Sequence, residues 1–125
     1  MLNVVLVGVG GAVGSILRYG LSTWVMSGGK SFPYGTLAVN VLGCFAIGLI
    51  LGLAESHDFI SSHTRLLLTT GLLGGFTTFS AFGFETFALL RDERIAAAIA
   101  NVVLQVVLGL LAVWAGHQLS RAFGS

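Results

Sequence analysis

The sequence is poor in charge, cysteine and proline. Only 9% of its 125 residues are Asp, Glu, Lys or Arg, whereas about 25% of a typical soluble domain is charged. A soluble helical protein also needs a polar stripe along each helix, and here the charges gather in short clusters. A single cysteine, Cys44, excludes an intrachain disulfide. We therefore expect an integral membrane protein rather than a soluble domain.

Long uncharged runs take the place of those charges. Three runs contain no charged residue over 24, 19 and 22 positions, namely residues 31–54, 66–84 and 95–116. About 20 residues at about 1.5 Å each cross a hydrocarbon core of about 30 Å, so each run predicts a transmembrane helix. We expect an all-α membrane protein with a single transmembrane domain, 1–125, and four spans at about 2–26, 34–54, 65–90 with a break near 74–78, and 95–121.

The first span contains one charge, Arg18. A cleaved secretory signal is the competing interpretation, but it would carry a basic segment before its apolar core. Residues 1–17 contain no Lys or Arg, so we interpret this segment as a retained helix.

The third span carries residues that weaken a helix. Gly74 and Gly75 are followed by Thr77, Thr78 and Ser80, and we predict that the helix breaks here, in the middle of the membrane. Irregular backbone at that depth is tolerated only where protein, water or a bound ion satisfies its polar groups. Thr78 or Ser80 can cap the new helix. The free N–H groups at the start of the new helix would favour an anion. The carbonyls freed at the break would favour a hard cation.

Polar side chains within the predicted spans are candidate functional residues, because ionisable groups are costly in a bilayer. Arg18 either extends to the interface or lines an aqueous vestibule. Glu85 is a proton carrier, a partner of Arg18 or an interfacial residue. Asn40 offers amide hydrogens, while Asn101 and Gln105 lie four residues apart on one helix face. Interhelical hydrogen bonding is the alternative role for these three amides.

Two aromatic residues follow the predicted break. Phe79 and Phe82 lie three residues apart and share a helix face. Periodicity alone favours core packing for this pair, although the positive edges of aromatic rings can also meet a small anion.

Signals of other functions are weak. The glycines of residues 8–14 resemble a dinucleotide fingerprint, but the spacing is off by one and no strand precedes them, so we expect no nucleotide or nucleic-acid partner. The sequence pattern offers no nucleophile and base pair and no metal-ligating cluster, so an enzyme is not expected. We interpret the histidines, which fall near helix ends, as interfacial: His57, His63 and His117.

The loop charges do not favour one orientation. Four spans place Arg65 and Arg121 on one side, and Lys30, Arg91 and Arg94 on the other. Orientation normally follows an excess of Lys and Arg in cytoplasmic loops. A chain that inserts both ways can form an antiparallel homodimer, which we take as a hypothesis.

Three segments resemble the Fluc fluoride channels, also called the CrcB family: GGAVGSILRY at 10–19, YGTLAVNVLG at 34–43 and TTGLLGGFTTFSAF at 69–82. The resemblance covers nearly the whole chain, and the third segment is the most distinctive. It implies a dual-topology antiparallel homodimer with two fluoride pores in the bacterial inner membrane. It also implies passive fluoride export from the cytoplasm and a structural sodium ion at the dimer centre.

The resemblance implies roles for individual residues. Gly74 and Thr77 match the positions that offer backbone carbonyls to sodium. The fluoride pathway falls on Asn40, Phe79, Ser80 and Phe82. Further vestibule or pathway candidates are Arg18, Glu85, Asn101 and Gln105. The chain departs from the family at Ala81, where Thr is common, and in the last helix, where Leu108, Gly109 and Val113 replace frequent Ser or Thr.

Two other functions stay open on the residues alone. A small dual-topology proton-coupled exporter of the multidrug type has similar length, but it should carry a carboxylate in its first helix. Residues 1–26 contain no Asp or Glu, so Glu85 would have to be the essential carboxylate of such an exporter. A structural membrane subunit is the second alternative.

Overall fold

The computed structural model describes residues 1–56 and 60–124, and all regular structure within them is helical. The elements are α1 (Leu2–Met26), α2 (Tyr34–Ser56), α3 (Ser62–Leu66), a π-helix (Leu67–Leu73), α4 (Gly74–Phe76), α5 (Phe79–Arg91) and α6 (Ile95–Gly124). They form four helical segments long and apolar enough to span a membrane: Leu2–Met26, Tyr34–Ser56, Ser62–Arg91 and Ile95–Phe123. The predicted all-α architecture with four spans is confirmed. The interpretation of His57 lies outside the described residues.

Contacts at the helix ends define two sides of the bundle. Arg94 Nη1 donates a hydrogen bond of 2.9 Å to the Ser31 carbonyl, which joins the third loop to the first. At the opposite side, His117 Nε2 lies 3.1 Å from Glu55 Oε2, so the end of α2 meets the last turns of α6. The loops therefore alternate between the two sides, as four successive spans require.

The third span packs closely on α1 through glycines. A side chain on Gly14 would overlap the Leu72 carbonyl, and one on Gly75 would overlap the Gly11 backbone, whose Cα would lie 2.9 Å away. Small residues allow such close approach between membrane helices. The backbone of the third span is thus held directly against α1.

A second close pair consists of α2 and α6, which pack along most of their length. A side chain on Gly48 would overlap the Val113 carbonyl, and one on Gly116 would overlap the Phe45 carbonyl. Most large apolar side chains of the described residues face outward, which suits a chain whose solvent is lipid. The third span runs beside both α2 and α6, and residues of all three line one groove.

Candidate functional site

The third span is interrupted at Thr77 and Thr78. The helix ends at Phe76, both threonines are extended (φ −89°, ψ 159° and φ −151°, ψ 123°), and α5 begins at Phe79. Of the two candidate caps, Thr78 is the one used, because its Oγ1 accepts a 3.2 Å hydrogen bond from Ala81 N. The depth of this interruption in a bilayer stays a prediction.

Asn40 of α2 holds the interruption from the side. Thr78 N–H donates to Asn40 Oδ1 at 2.9 Å, and Asn40 Nδ2 donates to the Thr78 carbonyl at 3.0 Å. A backbone N–H only donates and a carbonyl only accepts, so this pair fixes the orientation of the Asn40 amide. One side chain therefore satisfies both backbone groups of Thr78.

The interruption frees backbone carbonyls at Gly74 and Thr77, because Thr78 N–H bonds to Asn40 and Ala81 N–H to Thr78 Oγ1. In a continuous helix Thr78 N–H would bond to the Gly74 carbonyl, but here it bonds to Asn40 instead. Within residues 1–56 and 60–124, no backbone N–H donates to the Thr77 carbonyl. Oxygen atoms of this kind are the ligands that hard cations prefer. Gly74 and Thr77 therefore fit a cation in donor type, although two oxygens are fewer than the six or so that such ions usually take.

A groove of about 450 Å³ lies beside the interruption, lined mainly by the third span and α2 and also by α6. Six of the predicted residues line it together: Asn40, Gly74, Thr77, Phe79, Phe82 and Gln105. Its described lining contains no charged side chain. Ser80 does not line it, but its hydroxyl lies 3.4 Å from Thr78 Oγ1 at the exposed start of α5.

The two phenylalanines meet edge to face at the mouth of this groove. Their ring centroids are 5.5 Å apart with an interplanar angle of 61°. Phe79 is 81% exposed, and Phe82 is half-buried. Phe79 is therefore not a core residue of the isolated chain, contrary to what helix periodicity alone favoured.

The amides of α6 make the interhelical hydrogen bonds considered as their alternative role. Asn40 Nδ2 donates to Gln105 Oε1 at 3.1 Å, so both amide hydrogens of Asn40 are engaged. Asn101 Nδ2 donates to Thr86 Oγ1 at 2.9 Å. Asn101 is thereby tied to α5, and Gln105 to α2.

Glu85 and Arg18 share Thr36 as a neighbouring residue but do not pair with each other. Thr36 Oγ1 donates a 2.6 Å hydrogen bond to Glu85 Oε1. Arg18, half-buried, lines a separate cavity of about 370 Å³ that Thr36 and Thr78 also line. Across the described residues no ion pair joins Arg18 to Glu85.

Two hydroxyl residues of this network, Thr36 and Thr86, were not among the predicted site residues. Thr36 lies four residues before Asn40, so helical spacing places both on one face of α2. This spacing could have identified Thr36 from the sequence. Thr86 follows Glu85 directly and carries no distinguishing pattern. Its contact with Asn101 comes from the packing of α5 on α6.

Comparison with known proteins gives consistent matches over nearly the whole chain. Residues 5–117 match the family model described as CrcB-like protein, Camphor Resistance (CrcB). The chain is 49% identical over 123 residues to the fluoride-specific ion channel FluC of Methylobacillus flagellatus, which covers 97% of this chain and 96% of that protein. It is 47% identical over 125 residues to FluC of Chloroflexus aurantiacus, with 99% of each covered. FluC 1 of Methanosarcina acetivorans is 44% identical over 116 residues, 93% of this chain and 88% of the relative.

Proposed function

The chain belongs to the CrcB family, and from that premise we propose that it is a passive fluoride-specific channel that exports fluoride from the cytoplasm and so relieves its toxicity. Relatives that are 49% and 47% identical are named fluoride-specific ion channels, which supports this function. The protein is not an enzyme. We propose that it is a multi-pass protein of the bacterial inner (plasma) membrane.

The observation that carries the proposal is the uncharged groove beside the interrupted helix. Fluoride is small and strongly hydrated, so a narrow path must replace its water with several neutral donors. A fixed Lys would bind the ion too tightly for release, since conduction needs weak binding at several sites. The described lining offers amide, hydroxyl and aromatic groups and no charge, which suits a permeant anion.

Four side chains form the proposed fluoride pathway: Asn40, Phe79, Ser80 and Phe82. Asn40 supplies amide hydrogens, Ser80 an exposed hydroxyl, and the two rings their positive edges. A fluoride ion at Asn40 competes with Gln105 Oε1 for an amide hydrogen of Asn40. In the fold, Asn40 Nδ2 donates this hydrogen to Gln105 Oε1 at 3.1 Å. That competition keeps binding weak, as conduction requires.

The membrane potential drives export without a coupled energy source. Hydrogen fluoride crosses membranes uncharged and ionises inside. An inside-negative potential of 100 mV then favours outward movement of the anion by about 2.3 kcal/mol, or roughly 50-fold.

We also propose that two copies assemble as an antiparallel, dual-topology homodimer in the lipid bilayer. The nearly balanced loop charges, two basic residues against three, permit both orientations. Phe79 is 81% exposed beside the groove, so a second copy would close the pathway on its open side.

Labelling of introduced loop cysteines tests this arrangement. Ser31→Cys in the first loop and His63→Cys near the start of the third span, both at exposed positions, should each react with a membrane-impermeant reagent from both sides. The parent chain, whose single Cys44 lies within α2, is the control. Labelling of each position from one side only would contradict dual topology.

A structural sodium ion is the proposed cofactor. Gly74 and Thr77 would hold it through their backbone carbonyls, and a second copy would contribute the same two oxygens. The ion would supply positive charge that binds the freed carbonyls of both chains together. Its removal is expected to weaken the dimer rather than to alter the groove directly.

Fluoride efflux from liposomes tests the function. Purified protein is reconstituted with internal potassium fluoride, and valinomycin is added under an outward potassium gradient while an electrode follows external fluoride. Rapid release of fluoride, with no chloride release from matched vesicles, is expected. Absence of release from correctly folded protein would contradict the channel.

A proton-coupled exporter stays the alternative because Glu85 lies within the third span and is hydrogen-bonded to Thr36 at 2.6 Å. An exporter needs that carboxylate to carry the proton, so Glu85→Gln would abolish its transport. If the Glu85→Gln variant keeps passive fluoride flux without a pH gradient, the exporter is excluded. A structural subunit would show no flux at all.

A further inference from the structure

Two polar atoms of α6 stand out because they are buried and unpaired. Asn101 Oδ1 and Gln105 Nε2 have no hydrogen-bond partner within the described residues. Asn101 is 0% exposed. Buried polar groups are nearly always paired with protein or ordered water, so these two atoms call for a ligand.

The orientation of the Gln105 amide is set by the backbone. Thr78 N–H must face Asn40 Oδ1, which turns Asn40 Nδ2 toward the Thr78 carbonyl and toward Gln105. Only an acceptor can meet that Nδ2, so Gln105 presents Oε1 to Asn40. Its Nε2 therefore points away and is a free donor.

The Asn101 amide is set in the same way from the other end. Thr86 Oγ1 donates its one hydrogen to the Phe82 carbonyl at 2.8 Å, so toward Asn101 it can only accept. Asn101 accordingly turns Nδ2 to Thr86, at 2.9 Å. Its Oδ1 is left as a free acceptor.

A free donor and a free acceptor thus lie one helical turn apart on the same face of α6. A ligand that satisfies both must be small, must accept one hydrogen bond and must donate another. Fluoride accepts from Gln105 but is repelled by the carbonyl oxygen of Asn101, and a cation has the opposite conflict. Water meets both requirements.

We infer that Asn101 and Gln105 hold one buried water molecule, which accepts from Gln105 Nε2 and donates to Asn101 Oδ1. The water completes a hydrogen-bonded chain from the Thr78 backbone to the Phe82 carbonyl. It therefore joins the two ends of the first turn of α5 through α6. This site does not depend on which ion the protein conducts.

Crystal structures in two buffers test the inference. Water and fluoride are isoelectronic, so density alone does not identify the ligand, and the wild-type protein is crystallised with and without fluoride. We expect a peak within about 2.7–3.2 Å of both atoms in both crystals. A peak that vanishes without fluoride would show an anion instead. Direct bonding of the two amides to each other or to another chain would also overturn the inference.

A double-mutant cycle supplies an independent measurement. Asn101→Leu and Gln105→Leu should each lower the unfolding temperature of the purified protein by several degrees. The double variant should lose less than the sum, because the first substitution already removes the shared water. Gln118→Leu, the same change at an exposed position of α6, should have little effect. Strict additivity would contradict a shared ligand, and should a variant fail to fold, the crystal comparison decides.

Discussion

Replacement of Asn40 by Ala is the perturbation with the most direct structural consequence. The substitution removes three hydrogen bonds, of 2.9, 3.0 and 3.1 Å, and leaves both backbone groups of Thr78 without their side-chain partner. An unsatisfied buried group costs about 1–3 kcal/mol, so two cost about 2–6 kcal/mol. Water that enters the adjoining groove offsets part of this loss, so we expect the free energy of unfolding to fall by about 2–3 kcal/mol.

Unfolding of the purified protein in detergent, by heat or denaturant, measures this effect. Asn3→Ala is the matched control, since Asn3 is exposed on α1 and an exposed substitution usually changes stability by less than about 0.5 kcal/mol. Fluoride efflux from the Asn40 variant should fall together with its stability, because the interruption loses its support. An Asn40→Ala protein as stable as Asn3→Ala would refute the argument that this side chain holds Thr78.

Three further results are expected. Gly75→Ala should cost about 1–3 kcal/mol, because the new Cβ would overlap the Gly11 backbone, whereas Gly8→Ala, with nothing within 4 Å, should be tolerated; equal unfolding temperatures would contradict the close packing of α1. Phe79→Ile should change protomer stability by less than about 0.5 kcal/mol, since Phe79 is 81% exposed, yet lower fluoride flux at least about tenfold, or about 1.4 kcal/mol; unchanged flux would remove the ring edge from the pathway. Replacing sodium with a bulky organic cation should lower the unfolding temperature of the dimer, and an unchanged temperature would argue against the sodium site.

The sequence predicted the membrane architecture well because its signal is local and physical. Charge-free runs of 19 to 24 residues are long enough to cross a bilayer, and no tertiary contact is needed to recognise them. The capping role of Thr78 was also accessible, since Thr at a helix start has a known preference. Of the two predicted caps, Thr78 and Ser80, Thr78 is the one that caps α5.

The tertiary pairing within the site was beyond the sequence. Asn40 bonds to Thr78, 38 positions away, and to Gln105, 65 positions away, and helical periodicity carries no information about such pairs. Glu85 illustrates the same limit, because its charge suggested Arg18 or the interface while its partner is the Thr36 hydroxyl. Periodicity also favoured burial for Phe79, since it cannot tell which helix face lacks a neighbour.

Selective conduction is the central claim, and planar bilayer recording tests it most directly. Purified protein is placed between opposed tenfold gradients of fluoride and chloride, and the voltage of zero current is measured. A fluoride-specific channel should reverse near the fluoride equilibrium potential, about 59 mV from zero for one charge. A zero-current voltage of opposite sign, near the chloride equilibrium potential, would contradict a fluoride-specific channel. The absence of any current from folded protein would contradict it as well.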